Sequence, residues 1–386
     1  MRSNTVKFFL TLIFGLNCVL SVDAQNTPID GSATVETVNL YRNLLNLPKN
    51  KIMFGHQDDI SAGVGWKNLR NRSDIRELVG DYPAVYGFDL GYLELGKETN
   101  VSKVSFAMIK EYVSEVYQRG GIITFSWHAN NPVNPAMWVK SKRVKRTVGT
   151  IFSDPNVLKT YNEWLNRLAN YFNELKDDSG RPIPVLFRPF HENTGSWFWW
   201  GRNSCTPEEY VKLWRYTVDY FKAHNVHNLL YVYSTGTFKS ESDFLERYPG
   251  DNYADLLGVD IYQQESKTGI EDDASSAISS SNFKKRALPM ITMLKNIGVN
   301  KNKPYALTEV GFKAVPSRNW WTQTLLPLVK NSGLSYIFLW GNYSATSFWG
   351  VYKGQVSADD FKRFYQDQDV IFQNTVSKLK LYQKKQ

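Results

Sequence analysis

Cysteine is almost absent from this chain. Its 386 residues include two, Cys18 and Cys205. That excludes a disulfide framework and any zinc site built on thiolates. The five histidines form no cluster at metal-ligand spacing, so neither a metal nor another cofactor is expected. A glycine-rich phosphate loop is missing as well. The first strand-like run leads into Phe54-Gly55-His56-Gln57-Asp58-Asp59, which argues against an open dinucleotide-binding sheet. No linker or low-complexity stretch divides the chain. The apolar run Phe8–Val22 is too short, and wrongly flanked, to span a membrane.

Charge is unbalanced, with a formal net value of +9. The excess concentrates in residues 140–146 and 378–385, neither of which has the form of a nucleic-acid motif. A solvated basic surface is the simpler reading, so no nucleic-acid partner is expected. Arg2 and Lys7 precede the apolar run, and Val22-Asp23-Ala24 resembles a small-residue cleavage site. Residues 1–24 therefore read as a signal peptide, and residues 25–386 as an exported mature protein, periplasmic or secreted. Its loss removes Arg2, Lys7 and Asp23 and leaves a net +8. Cys18 would allow a lipid anchor, but Asn17 before it is an unusual residue for a lipidation signal, and cleavage after Ala24 is favoured.

Aromatic residues are abundant, with 12 Trp, 22 Tyr and 22 Phe. They suit a large core or a cleft lined with flat rings, and composition does not separate the two. Short, nearly continuous apolar runs recur at Lys51–His56, Ala84–Leu90, Gly121–Trp127, Ile183–Phe190, Leu229–Ser234, Leu256–Ile261, Tyr305–Glu309 and Ser335–Gly341. Runs of this kind fit parallel strands buried on both faces. Helical patterns lie between them, over Val104–Arg119, Val157–Leu175, Phe283–Ile297, Trp320–Lys330 and Ala358–Leu379. Thr206-Pro207-Glu208-Glu209 is a capping box that should start another, and Ser240–Tyr248 leaves room for a short one. Eight strand–helix units predict a single-domain α/β fold, a (β/α)8 TIM barrel. An open doubly wound sheet is the alternative.

In such a barrel the working residues stand at the C-terminal strand ends. Strand four ends in Arg188-Pro189-Phe190-His191-Glu192-Asn193 and strand seven in Thr308-Glu309-Val310-Gly311. Glu192 and Glu309, three strands apart in a ring of eight, should face each other across the mouth. A single glutamate there would read as a salt bridge or helix cap. Two at matching ends form the acid and nucleophile (or base) that glycoside cleavage needs. His191 is either a satisfied structural histidine or a donor that orients a carboxylate or a substrate hydroxyl. Four consecutive aromatics, Trp197-Phe198-Trp199-Trp200, cannot all face one core, and Trp197 is the candidate for stacking on a sugar. Trp340 closes strand eight, where core and cleft readings compete. Asp260 and Tyr262 share one face of strand six. Tyr262 could hold the nucleophile, and Asp260 a sugar hydroxyl or a cation, with a structural ion pair as the rival.

Taken with Trp197 and Asp260-Ile261-Tyr262, the strand-four and strand-seven motifs resemble glycoside hydrolase family 26, whose characterised members are mostly endo-β-1,4-mannanases. The resemblance runs from Phe54-Gly55-His56-Gln57 to Trp340. It implies a (β/α)8 barrel, a retaining double displacement, Glu192 as acid/base and Glu309 as nucleophile. It also implies substrate contacts at His128, His191, Trp197, Asp260, Tyr262 and Trp340. Gly341-Asn342 follows the tryptophan where some family mannanases carry a basic residue. The expected partner is a polysaccharide acted on by a monomer. Mixed-linkage β-glucan or β-xylan would serve the same chemistry, and a non-catalytic glycan-binding barrel is the reading from another class. The basic stretch 139–150 is expected either to narrow the cleft or to be a plain surface loop.

Overall fold

The computed structural model describes residues 26–135, 146–264 and 273–384. The expected signal peptide and most of the basic stretch 139–150 lie outside them. The end of that stretch is not a loop, because Thr147 starts a helix that runs to Ser153.

Eight parallel strands follow one another around a closed ring: β1 Ile52–Gln57, β2 Val85–Asp89, β3 Ile122–Ser126, β4 Val185–Arg188, β5 Leu229–Thr235, β6 Leu256–Gln263, β7 Tyr305–Phe312 and β8 Tyr336–Leu339. Pairing of β8 with β1, from Met53 opposite Tyr336 to His56 opposite Leu339, closes the barrel. The expected (β/α)8 fold is therefore the observed one, in one domain. The strands are almost wholly buried, which explains their unbroken apolar runs.

Alternation along each strand divides the core in two. Phe54, Tyr86, Ile123, Phe187 and Tyr231 point outward into a layer shared with the helices. Their neighbours Met53, Val85, Ile122, Leu186 and Leu230 fill the barrel interior, where they meet Leu40, Tyr41 and Leu44 of the helix Val35–Leu45.

The helix Pro207–Ala223 begins as its sequence dictates, with both hydrogen bonds of the Thr206/Glu209 capping box in place. Two expected helices come out differently. The Trp320–Lys330 pattern opens as a π-helical turn, Trp321–Leu325, ahead of a short α-helix, Leu326–Val329. Pro327 has no N–H to continue a regular ladder there. The Ala358–Leu379 pattern is two helices, Ala358–Gln366 and Gln373–Leu379. Between them Val370–Ile371 pairs with the start of β1, and Phe372 stacks on Phe54 with ring centroids 4.8 Å apart. Burying this β-branched pair outweighs continuing an exposed helix. Among the described residues no helix is long and apolar enough to cross a membrane.

Candidate active site

The mouth of the barrel is shaped by two strands that run further than their apolar patterns. β6 and β7 stay paired out to Gln263 and Phe312, with a register shift between Val259 and Asp260 that brings Asp260 opposite Glu309. Asp260, Tyr262 and Glu309 thus lie on regular ladder rather than on loops, where main-chain pairing fixes their directions. β4 stops early, at Arg188. The chain then turns through two left-handed residues, Phe190 (φ 47°) and Glu192 (φ 54°). Side chains at such φ values are strained, and strain of this kind collects at functional sites. The Glu192 N–H is tied to the Ser234 carbonyl of β5 at 3.1 Å, which helps hold the turn.

This turn delivers Glu192 to the pocket facing Glu309. Carboxylate oxygens of Glu192, Asp260 and Glu309 all come within 4.8 Å of one another. A trio of acids this tight can cradle a cation, and here Arg188 supplies the positive charge from within the protein. Its buried guanidinium donates to Asp260 at 2.8 Å and also pairs with Glu309. Burial works against that charge, but the two carboxylates raise the guanidinium above its ordinary value. The Tyr262 hydroxyl donates to the other Glu309 oxygen at 2.5 Å. Glu309 is thereby held on both oxygens.

Glu192 stands in a different environment. Burial, then the charges of Glu309 and Asp260, push its carboxyl well above the usual range. The Trp197 indole N–H donates to it at 2.7 Å. A carboxyl raised in this way is suited to give a proton.

Both glutamates open on a cavity of about 320 Å³ whose wall includes His128, His191, Trp197, Phe198, Tyr262, Trp340 and Trp349. Of the sequence candidates, all but Asp260 line it. The Asp260 side chain is fully buried beneath the cavity and accepts from Arg188, Thr308 and Ser234. It is the ion-pair partner, not the sugar contact, because no face of it is left open.

His191 is also corrected in one respect. Trp197, rather than His191, bonds Glu192. His191 is held neutral by burial and then by the nearby Arg188 charge, and its Nδ1 has no hydrogen-bond partner. Trp197 is 40% exposed while Phe198, Trp199 and Trp200 are buried, so the aromatic run splits as its length requires. Cys205 is a buried free thiol whose pKa burial raises to about 11.

Sequence reasoning gave Arg188 no role and missed Trp349. A buried arginine at an inward strand-end position could have been found from the barrel pattern. Trp349 could not, since it comes from the chain beyond β8 and packs closely over Gly311: a Cβ there would lie 2.8 Å from the Trp349 ring and 3.3 Å from Tyr262. A larger hollow, about 630 Å³, opens at the other end of the barrel among Tyr117, Asp177 and Arg181. Of its three acids, Asp177 and Glu36 are engaged by Arg181, and Asp178 accepts from Gln118.

Comparison with known proteins bears on the family and the fold. The profile described as glycosyl hydrolase family 26 matches residues 29–326. A mannan endo-1,4-β-mannosidase of Bifidobacterium adolescentis is 30% identical over 94% of this chain, which spans only 38% of that relative's length. One from Bacillus subtilis is 28% identical over 74% of this chain and 73% of its own. The solved structure of a β-mannanase from Bacteroides ovatus superposes with a TM-score of 0.84 at 40% identity, covering 91% of this chain and 98% of that one.

Proposed function

The chain belongs to glycoside hydrolase family 26, and on that premise we propose that it is a retaining endo-β-1,4-mannanase that acts on mannan, galactomannan or glucomannan. The observation that carries the mechanism is the separation of Glu192 and Glu309, whose carboxylate oxygens come within 4.8 Å. A gap near 5–5.5 Å fits direct attack by one carboxylate, whereas inverting enzymes keep roughly 6.5–9.5 Å to admit a water.

In the first step a Glu309 oxygen bonds to the anomeric carbon. The glycosidic C–O bond breaks, its electron pair stays on the leaving oxygen, and the Glu192 proton goes to that oxygen. In the second step Glu192 takes a proton from water. The water oxygen bonds to the anomeric carbon, and the ester to Glu309 breaks. Arg188 and Tyr262 orient Glu309 and compensate its charge throughout. Trp197, Trp340 and Trp349 offer ring faces or edges to the sugars. Mannan is preferred to other β-glycans because the relatives named above carry mannanase names. The expected signal peptide places this activity outside the cytoplasm, in the periplasm or the medium.

The test is product analysis after separate incubations with linear mannan, galactomannan, lichenan and xylan, with early-time NMR of the anomeric protons. Manno-oligosaccharides of mixed size, released first as the β-anomer, are expected. Products from lichenan or xylan alone would replace the substrate, and first release of the α-anomer would overturn retention.

A further inference from the structure

His128 stands in the cleft wall just past β3, but its ring is oriented from the neighbouring strand. Asp89, the last residue of β2, is wholly buried. Its Oδ1 accepts from the Gly91 N–H at 2.6 Å and from the His128 N–H at 3.5 Å. Its Oδ2 meets the Ser126 hydroxyl and His128 Nδ1, both at 2.6 Å. A carboxyl ringed by donors fits the ionised, acceptor-only form. Burial opposes that ionisation, yet His128, Ser126 and Gly91 together hold the group below its ordinary value. An ionised Asp89 cannot donate, so the proton between the pair belongs to His128 Nδ1. Nε2 is left on the far side of the ring, away from Asp89, in the cavity wall that His128 helps to form. His191, Trp340 and Phe198 surround the ring edge-on at 4.7, 5.6 and 5.7 Å and keep it from swinging.

We propose that Asp89 is a positioning residue: it holds His128 with Nδ1–H toward the barrel wall and Nε2 toward the cleft, where Nε2 accepts from a hydroxyl of the bound sugar. The assignment rests on the reading of the cavity as a glycan cleft. It gives position 91 a reason to be glycine, because a Cβ there would lie 2.8 Å from Asp89 Oδ1 and equally close to the His128 carbonyl.

The experiment pairs spectroscopy with a double-mutant cycle. In protein labelled with 15N-histidine, the five rings are few enough to assign His128 by its loss in His128→Ala. The wild type is expected to show a hydrogen-bonded Nδ1–H and a bare Nε2. Asp89→Asn can offer its amide to Nδ1 and should switch the proton to Nε2. On whichever β-glycan the wild type cleaves, Asp89→Asn should lower kcat/KM about tenfold to a hundredfold, as for loss of a charged hydrogen bond. In the His128→Ala background the same change should cost nothing further. Because Asp89 is buried and its variant could fail to fold, Ser126→Ala is run in parallel, and its smaller loss must also vanish without His128. Fully additive losses, or a wild-type ring protonated at Nε2 alone, would overturn the assignment. Absence of cleavage of any β-glycan would instead sink the functional reading, with the tautomer still decided by the spectra.

Discussion

Glu192 and Glu309 are the same residue type in the same cavity, and their neighbours set them to different tasks. Glu309 has a cation and a phenol on its two oxygens, while Glu192 has two carboxylates close by and one indole donor. Glu192→Gln should therefore lose about 10²–10⁴ in rate on polysaccharide. It should keep most of its first-step rate on an aryl mannoside whose leaving group needs no proton. Equal losses on both, measured by steady-state and burst kinetics, would refute the acid role. Glu309→Ala should lose both activities. The pH dependence follows from the raised carboxyl of Glu192. Its protonated form is the active one, so kcat/KM should fall as pH rises through a value well above an ordinary glutamate's. Trp197→Phe removes a donor that favours the carboxylate, and should move that alkaline limb higher still.

At the level of the elements, the eight strands were legible because burial on both faces leaves short apolar runs, most of them followed by a helical pattern or a capping signal. The candidate site was legible for the same reason: once strand ends are known, Glu192, Glu309, Tyr262, His128 and Trp340 fall at the mouth. Other features left no pattern to read. The extension of β6 and β7 depends on a register shift between strands far apart in sequence. The left-handed turn at Phe190 and Glu192 is imposed by the fold on residues with no preference for it. For Asp260 the sequence gives its face but not its depth, so the sugar and ion-pair readings stayed open until the pairing with Arg188 decided for the ion pair. Strand β7 also makes a prediction of its own. Gly311→Ala puts a methyl against Trp349 and Tyr262. It should lower kcat by displacing the phenol from Glu309 while changing the melting temperature by only a few degrees. A large loss of stability with unchanged kcat in the surviving fold would contradict this.

The whole molecule carries several buried acids away from the reacting pair. Burial raises Glu94 to about 7 and Asp58 and Asp255 to about 6. Each binds its proton more tightly folded than unfolded, where ordinary carboxyl values near 4 apply. Their contribution to stability is thus fully present below about pH 4 and is lost as pH rises through about 6 to 7. Thermal melts between pH 4.5 and 8 should show the melting temperature declining across that window, and Glu94→Gln should flatten part of the decline. A melting temperature that stays level or rises over the same range would overturn this expectation.

The left-handed backbone at position 192 has a consequence for laboratory evolution. Asparagine or glycine would sit there with less strain than glutamate, and either would also take a half-buried acid out of a crowded set of like charges. A screen of random variants for heat resistance alone would therefore tend to collect dead proteins altered at this residue. Selection on this scaffold has to score turnover and survival together, since the conformation that aims the proton donor is one the chain would otherwise abandon.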